Sequence, residues 1–128
     1  LVRIIEKSIP AKFKKDGHPA KRSFQAIRIE VNGELDGLDK CLHDIASGLK
    51  SGGRLAVITF HSLEDRIVKR AFVDLATGCT CDRSIPICVC GRKEQAKLIS
   101  KKPITATEQE LKRNPRSSSA KLRVIEKL

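Results

Sequence analysis

Methionine, tryptophan and tyrosine are absent from this 128-residue chain, and its aromatic content is four phenylalanines, Phe13, Phe24, Phe60 and Phe72. So sparse a set excludes recognition of single-stranded nucleic acid by stacking bases in series, as RRM-type and OB-type binders do. No apolar run approaches the roughly 20 residues a membrane helix needs. The opening LVRIIEK also lacks the apolar core and cleavage site of a signal peptide. The expectation is a soluble, cytoplasmic chain with no membrane span. Acidic residues are short as well: 15 Asp+Glu against 26 Lys+Arg leave a formal charge of +11. That balance favours polyanions such as nucleic acid or an anionic membrane surface. The missing methionine, and an opening LVRIIEKSIP that reads as a helix tail with no cap before it, point to a piece of a longer protein.

What is present is organised around Gly52 to Asp65, GGRLAVITFHSLED. Leu55 to Phe60 is short, apolar and rich in β-branched residues after a Gly-Gly turn, which predicts a central parallel strand buried on both faces. Ser62 is expected as the N-cap of a helix running to about Ala76, with Asp65 three residues on and acidic side chains in the positive first turn. Strand, polar turn and helix make half of a βαβ unit, and the fold class predicted is α/β. Ligands of open α/β sheets lie beyond the carboxyl ends of the strands, so His61 is expected to face a ligand crevice. A second reading stays open, in which His61 and Glu64 only cap and orient the turn.

Before this stretch, Pro10 to Pro19 reads as a basic linker, and Phe24, Ile27, Val31, Leu35, Leu38, Leu42, Ile45 and Leu49 recur in steps of three and four. They predict one long amphipathic helix from Pro19, or two with a break near Asn32-Gly33, since Gly33 and Gly37 each cost about 1 kcal/mol relative to Ala. Cys41 falls near the apolar stripe and is expected in the core. Arg22, Gln25, Ile29 and Asn32 share a second face, with Lys21 and Arg28 at its border. That stripe is either a surface for phosphates or a base edge, or the solvated side of an ordinary helix.

After the second helix comes CTCDRSIPICVC, in which Cys79, Cys81, Cys88 and Cys90 form two C-x-C pairs. Four such thiolates can close a tetrahedral zinc site around a knuckle spanning 79–90; inert reduced thiols and disulfides are the other readings. With every position taken by protein, a metal here is structural and carries no catalytic water. Lys97 to Ile104 reads as a strand held to an edge or end by Pro103. Thr107 with Glu110 resembles a capping box for one helical turn. Lys112 to Ser119 reads as a basic loop and 120–127 as a closing strand. The two late strands are expected to pair antiparallel at the edge of a mostly parallel sheet.

Three of these segments resemble, in order and across nearly the whole chain, one family: the bacterial 16S ribosomal RNA cytosine-N4 methyltransferases called RsmH or MraW. HPAKRSFQAIRIEVNGEL at 18–35 is similar to its HPATRTFQALRI-type helix, GGRLAVITFHSLEDRIVKR at 52–70 to its strand-turn-helix signature, and NPRSSSAKLRVIEK at 114–127 to its closing segment. The cysteine knuckle resembles a form found in part of the family. The resemblance implies a class I, Rossmann-like S-adenosylmethionine fold. Residues 1–18 would be the end of a helical inserted domain and a basic linker, and residues 19–128 the distal half of the methyltransferase domain. It implies methylation of a cytidine N4 amine in 16S ribosomal RNA of the small ribosomal subunit.

The family's glycine-bearing cofactor loop and acidic ribose-holding residue have no counterpart here, and no G-x-G-like turn lies between a strand and a helix. The chain alone is therefore expected to be inactive and to bind S-adenosylmethionine poorly. Carried onto matching positions, the resemblance makes His61, Ser62, Glu64 and Asp65 candidates for lining the target-base pocket. Arg22, Gln25, Arg28 and Asn32 become RNA or base contacts, and Lys12, Lys14, Lys15, Arg113 and Arg116 phosphate contacts. Such a piece would expose a sheet edge, which invites a homo-oligomer. The alternative function is a non-catalytic basic zinc-knuckle module that binds RNA.

Overall fold

The computed structural model describes residues 1–10, 18–82 and 87–128, which form two compact units, Leu1–Asp36 and Gly37–Leu128. The first unit holds α1 (Val2–Ser8) and α2 (Lys21–Asn32). The helix after Pro19 thus falls in this unit. Of the two helical alternatives, the broken one is found. Gly33 takes φ 59°, a left-handed conformation that costs glycine little, and the amide of Glu34 returns to the Ile29 carbonyl at 3.1 Å to close the last turn.

The second unit begins with α3 (Leu38–Gly48), followed by β1 (Arg54–Thr59), α4 (Ser62–Leu75), β2 (Ala96–Leu98), β3 (Ile104–Thr105), α5 (Glu108–Arg113), a 3-10 turn at Pro115–Ser119 and β4 (Lys121–Lys127). The last strand organises the sheet. β4 lies between β1 on one edge and the short β2 and β3 on the other, and every pairing is antiparallel. This corrects the parallel reading of β1, whose partner among the described residues is β4, with Leu55 opposite Ile125 and Thr59 opposite Lys121. Burial on both faces is corrected too. Leu55, Val57 and Thr59 turn inward, whereas Ile58 on the outer face is 58% exposed. The strand expected over 97–104 is interrupted, because Pro103 cannot donate to a ladder and the chain leaves β4 before rejoining it at Ile104.

One face of the sheet carries the core. Leu42 and Ala46 of α3, Val68, Ala71, Phe72 and Leu75 of α4, Ala96 of β2 and Ile125 of β4 are buried together, flanked by Leu38, Leu55, Val57 and Leu98. Cys41 is exposed rather than part of this core, since Leu42 and Ala46 take the inward face of α3. A buried ion pair fixes α4 across β4. Asp65 accepts from Arg123 Nε at 2.7 Å and Nη2 at 3.2 Å, and Lys121 Nζ lies 3.4 Å away. At its far end α4 is held by Arg92, which donates to the Asp74 and Thr77 carbonyls and to Asp74 Oδ1, giving the last turn the cation its dipole favours.

Thr107 caps α5 as its sequence implies, accepting from the Glu110 amide at 3.2 Å. Thr107→Ala should lower stability by about 1 kcal/mol, read as the shift of the urea midpoint at unchanged slope. An unchanged midpoint would mean that α5 adds nothing to the cooperative unit.

Candidate functional site

The turn from β1 into α4 gathers the polar groups of the central signature. Apolar residues before it and an amphipathic helix after it leave Phe60 and His61 to make a sharp corner, with His61 extended at φ −137° and ψ 162°. The cap is His61, not Ser62, which is the exposed first residue of the helix. His61 Nδ1 accepts from the Glu64 amide at 3.4 Å, and Glu64 Oε2 reaches back to the amides of Phe60 at 2.9 Å and His61 at 3.2 Å. This is a capping box built with histidine in place of serine. A serine at 62 masked it, because Glu64 stands three residues after His61 and not after Ser62.

The box leaves one ring nitrogen over. His61 Nε2 is buried and makes no hydrogen bond among the described residues. Glu64 Oε1 lies 3.3 Å from it, but the pair lacks hydrogen-bond alignment. Because Nδ1 accepts an amide proton, the neutral ring carries its own proton on Nε2. A donor thus stands at the strand end beside a carboxylate oxygen. Asp65, expected with these groups, faces the sheet, where Arg123 holds its carboxyl below the usual carboxylate range by direct hydrogen bonds, against the opposing effect of burial.

The other expected residues lie apart from that corner in chain and element. Arg22, Gln25, Arg28 and Asn32 are all on α2 in the first unit, Gln25 half-buried and the others exposed. Two of them converge on Glu34: Arg28 binds it through two nitrogens at 2.7 and 2.9 Å, and Asn32 Nδ2 donates to it at 3.0 Å. Lys12, Lys14 and Lys15 lie outside the described residues. Arg113 and Arg116 are exposed on α5 and the 3-10 turn.

A basic groove was missed. Arg66, Lys69, Arg70, Val73, Asp74, Thr77, Thr80 and Arg92 line an open cavity of about 620 Å³ along α4. Its signal was in the sequence, since 66, 69, 70 and 73 recur at helical spacing opposite the buried stripe. Lys121, opposite Thr59 and 3.4 Å from Asp65, carries no sequence signal that separates it from the chain's other lysines.

The four knuckle cysteines come together, with all sulfurs within 4.8 Å of one another. Backbone amides of Arg92 and Thr80 donate to the Cys90 sulfur and draw its thiol down to about 5. At Cys79 the amide of Cys81 acts in the same sense, but the three neighbouring thiols outweigh it and push the group up to about 12.

The corner between β1 and α4 does not fit a nucleotide-type cofactor: the amides that would face an anionic group are taken by Glu64, and no glycine-rich turn stands there. The elements thus define an α/β protein with a polar strand-end corner and a basic helix flank. The sequence profile of the MraW methylase family matches residues 1–128, and the chain belongs to that family. It is 59% identical over all its residues to ribosomal RNA small subunit methyltransferase H of Clostridium botulinum strain Hall and equally to that of strain Okra. The chain spans 41% of the length of these relatives.

Proposed function

We propose that this chain is the substrate-side portion of an S-adenosylmethionine-dependent methyltransferase that modifies the N4 amine of a cytidine in 16S ribosomal RNA, acting in the cytoplasm on the small ribosomal subunit. The observation that carries the reading is the strand-end corner: a buried ring nitrogen, His61 Nε2, with no hydrogen bond among the described residues, next to Glu64 Oε1. It sits within a chain 59% identical throughout to relatives named as ribosomal RNA small subunit methyltransferases. S-adenosylmethionine supplies the methyl group when bound, and its site is assigned outside these residues.

A cytosine amine is a poor nucleophile because its lone pair is shared with the ring, so alignment and proton management carry much of the catalysis. In this reading His61 Nε2 donates to an acceptor on the base and holds it in line. The carboxylate of Glu64 stands where the amine proton can pass. Ser62, exposed beside them, is a further pocket contact, and Asp65 positions the corner by anchoring α4 to β4. Arg22, Gln25, Arg28 and Asn32 contact RNA from α2. Lys12, Lys14, Lys15, Arg113 and Arg116 contact phosphates, a role that positions without specifying.

Calorimetry and nucleoside analysis test this together. The full-length protein with small subunits and S-adenosylmethionine should yield N4-methylcytidine, while residues 1–128 titrated with S-adenosylmethionine should give no binding heat. Tight binding by residues 1–128 would overturn the division of labour. A methyl group found on another base would overturn the substrate.

A further inference from the structure

We propose that Cys79, Cys81, Cys88 and Cys90 bind one zinc ion as a structural tetrathiolate site. The inference is independent of the methyltransferase reading and rests on the knuckle itself.

The sulfur geometry matches an ion and not the alternatives. Cys88 Sγ lies 3.3 Å from Cys79 Sγ, 3.9 Å from Cys81 Sγ and 3.5 Å from Cys90 Sγ, and Cys90 Sγ is 3.7 Å from Cys79 Sγ. A tetrahedron with zinc–sulfur bonds of about 2.3 Å has edges of about 3.8 Å. A disulfide would bring one pair to about 2.05 Å, and no pair is bonded. Inert thiols fail for a different reason. Reduced cysteine without a task is among the most buried residue types, yet Cys79, Cys88 and Cys90 are exposed and Cys81 only half-buried.

Nor does packing explain the convergence. Ile87, just before the second pair, and Val89, inside it, are 75% and 76% exposed. The described residues of the knuckle bury no apolar side chain that would offset the entropy of holding four side chains together, and coordination supplies that stabilisation. The backbone is arranged for thiolate ligands. Gly91 takes φ 62°, turning the chain so that the Arg92 amide meets the Cys90 sulfur, with the Thr80 amide on the same atom. Such amide donors orient and stabilise metal-bound thiolates.

One ion is all that sulfurs this close can share, and a soft four-sulfur set suits zinc. Binding would displace the thiol protons to solvent and leave no open position. Its consequence is mechanical. Cys79 and Cys81 follow α4, and Cys88 and Cys90 lead to Arg92 and β2, so the ion would staple the end of the helix to the start of the strand beside the Arg92 cap.

The test is the metal content and thiol reactivity of the full-length protein purified without chelators. We expect about one zinc per chain. Alkylation at Cys79, Cys81, Cys88 and Cys90 should be at least about tenfold slower with zinc than after a strong chelator, because the free thiolate is the reacting form. Exposed Cys41 should react alike in both states and serves as the internal standard. Cys88→Ser should lose the ion. As a control that does not depend on the folding of that variant, cobalt is added to the chelated wild type, where a tetrathiolate site gives intense sulfur-to-metal absorption. Absence of metal after zinc loading with unchanged alkylation would overturn the proposal. So would iron in the site, or an intact mass showing disulfides.

Discussion

Asp65→Ala should destabilise the protein by about 3–5 kcal/mol, measured as the change in urea unfolding free energy at neutral pH. The cost comes from what is left behind. Asp65 is 9% exposed and Arg123 8%, and removing the carboxylate strands a guanidinium under α4, with Lys121, another cation, beside the vacated position. Replacing both partners, Asp65→Leu with Arg123→Met, should recover most of the loss, because the buried pair itself returns little over a packed apolar one. If the double variant is as unstable as the single, the orphaned charge is not the cause.

The same pair gives a pH dependence of defined sign. Hydrogen bonds from Arg123, then the charges of Arg123 and Lys121, hold the Asp65 pKa below its ordinary value although burial opposes them. The unfolded chain therefore takes up the proton first as acid is added. The stabilisation is fully present above the ordinary carboxylate value of about 3.9 and is lost as pH falls through the folded value. The gap between wild type and Asp65→Ala should accordingly be widest near neutrality and narrow below about pH 4. A gap that stays constant with pH would assign the effect to lost packing.

Much of this arrangement was legible because it depends on local chemistry. Gly33 ended α2, Thr107 capped α5, and the β-branched closing stretch became β4, each by rules that act within a few residues. The C-x-C pairs likewise announced a four-sulfur cluster. What could not be read was pairing. Nothing in Leu55 to Phe60 says whether its neighbour runs parallel or antiparallel, and the partner, β4, lies more than sixty residues on. Nothing in the sequence sets Arg123 apart from the other cations of a basic chain, since its burial follows from a carboxylate on another element. The apolar outer face of β1 suggested cover on both sides, and in the described residues α3 and α4 cover only one.

His61 is the cap of α4, and the proposed function makes it a pocket residue as well, so the strongest test of the site must separate the two. His61→Asn does so. Asparagine is among the best N-caps, and its side-chain oxygen can accept the Glu64 amide that His61 Nδ1 accepts at 3.4 Å. Stability should change by only a few tenths of a kcal/mol, whereas His61→Ala should lose about 1 kcal/mol. Methylation of the small subunit by the full-length protein should behave differently. Asparagine has nothing at the position of Nε2, so both variants should lose about 10²–10³-fold in kcat, as when a donor aimed at the reacting group is removed. Activity that survives in His61→Asn and falls only with the lost cap in His61→Ala would make His61 a capping residue. The proton path would then have to be sought at Glu64, whose Oε1 is free of the amides that occupy Oε2.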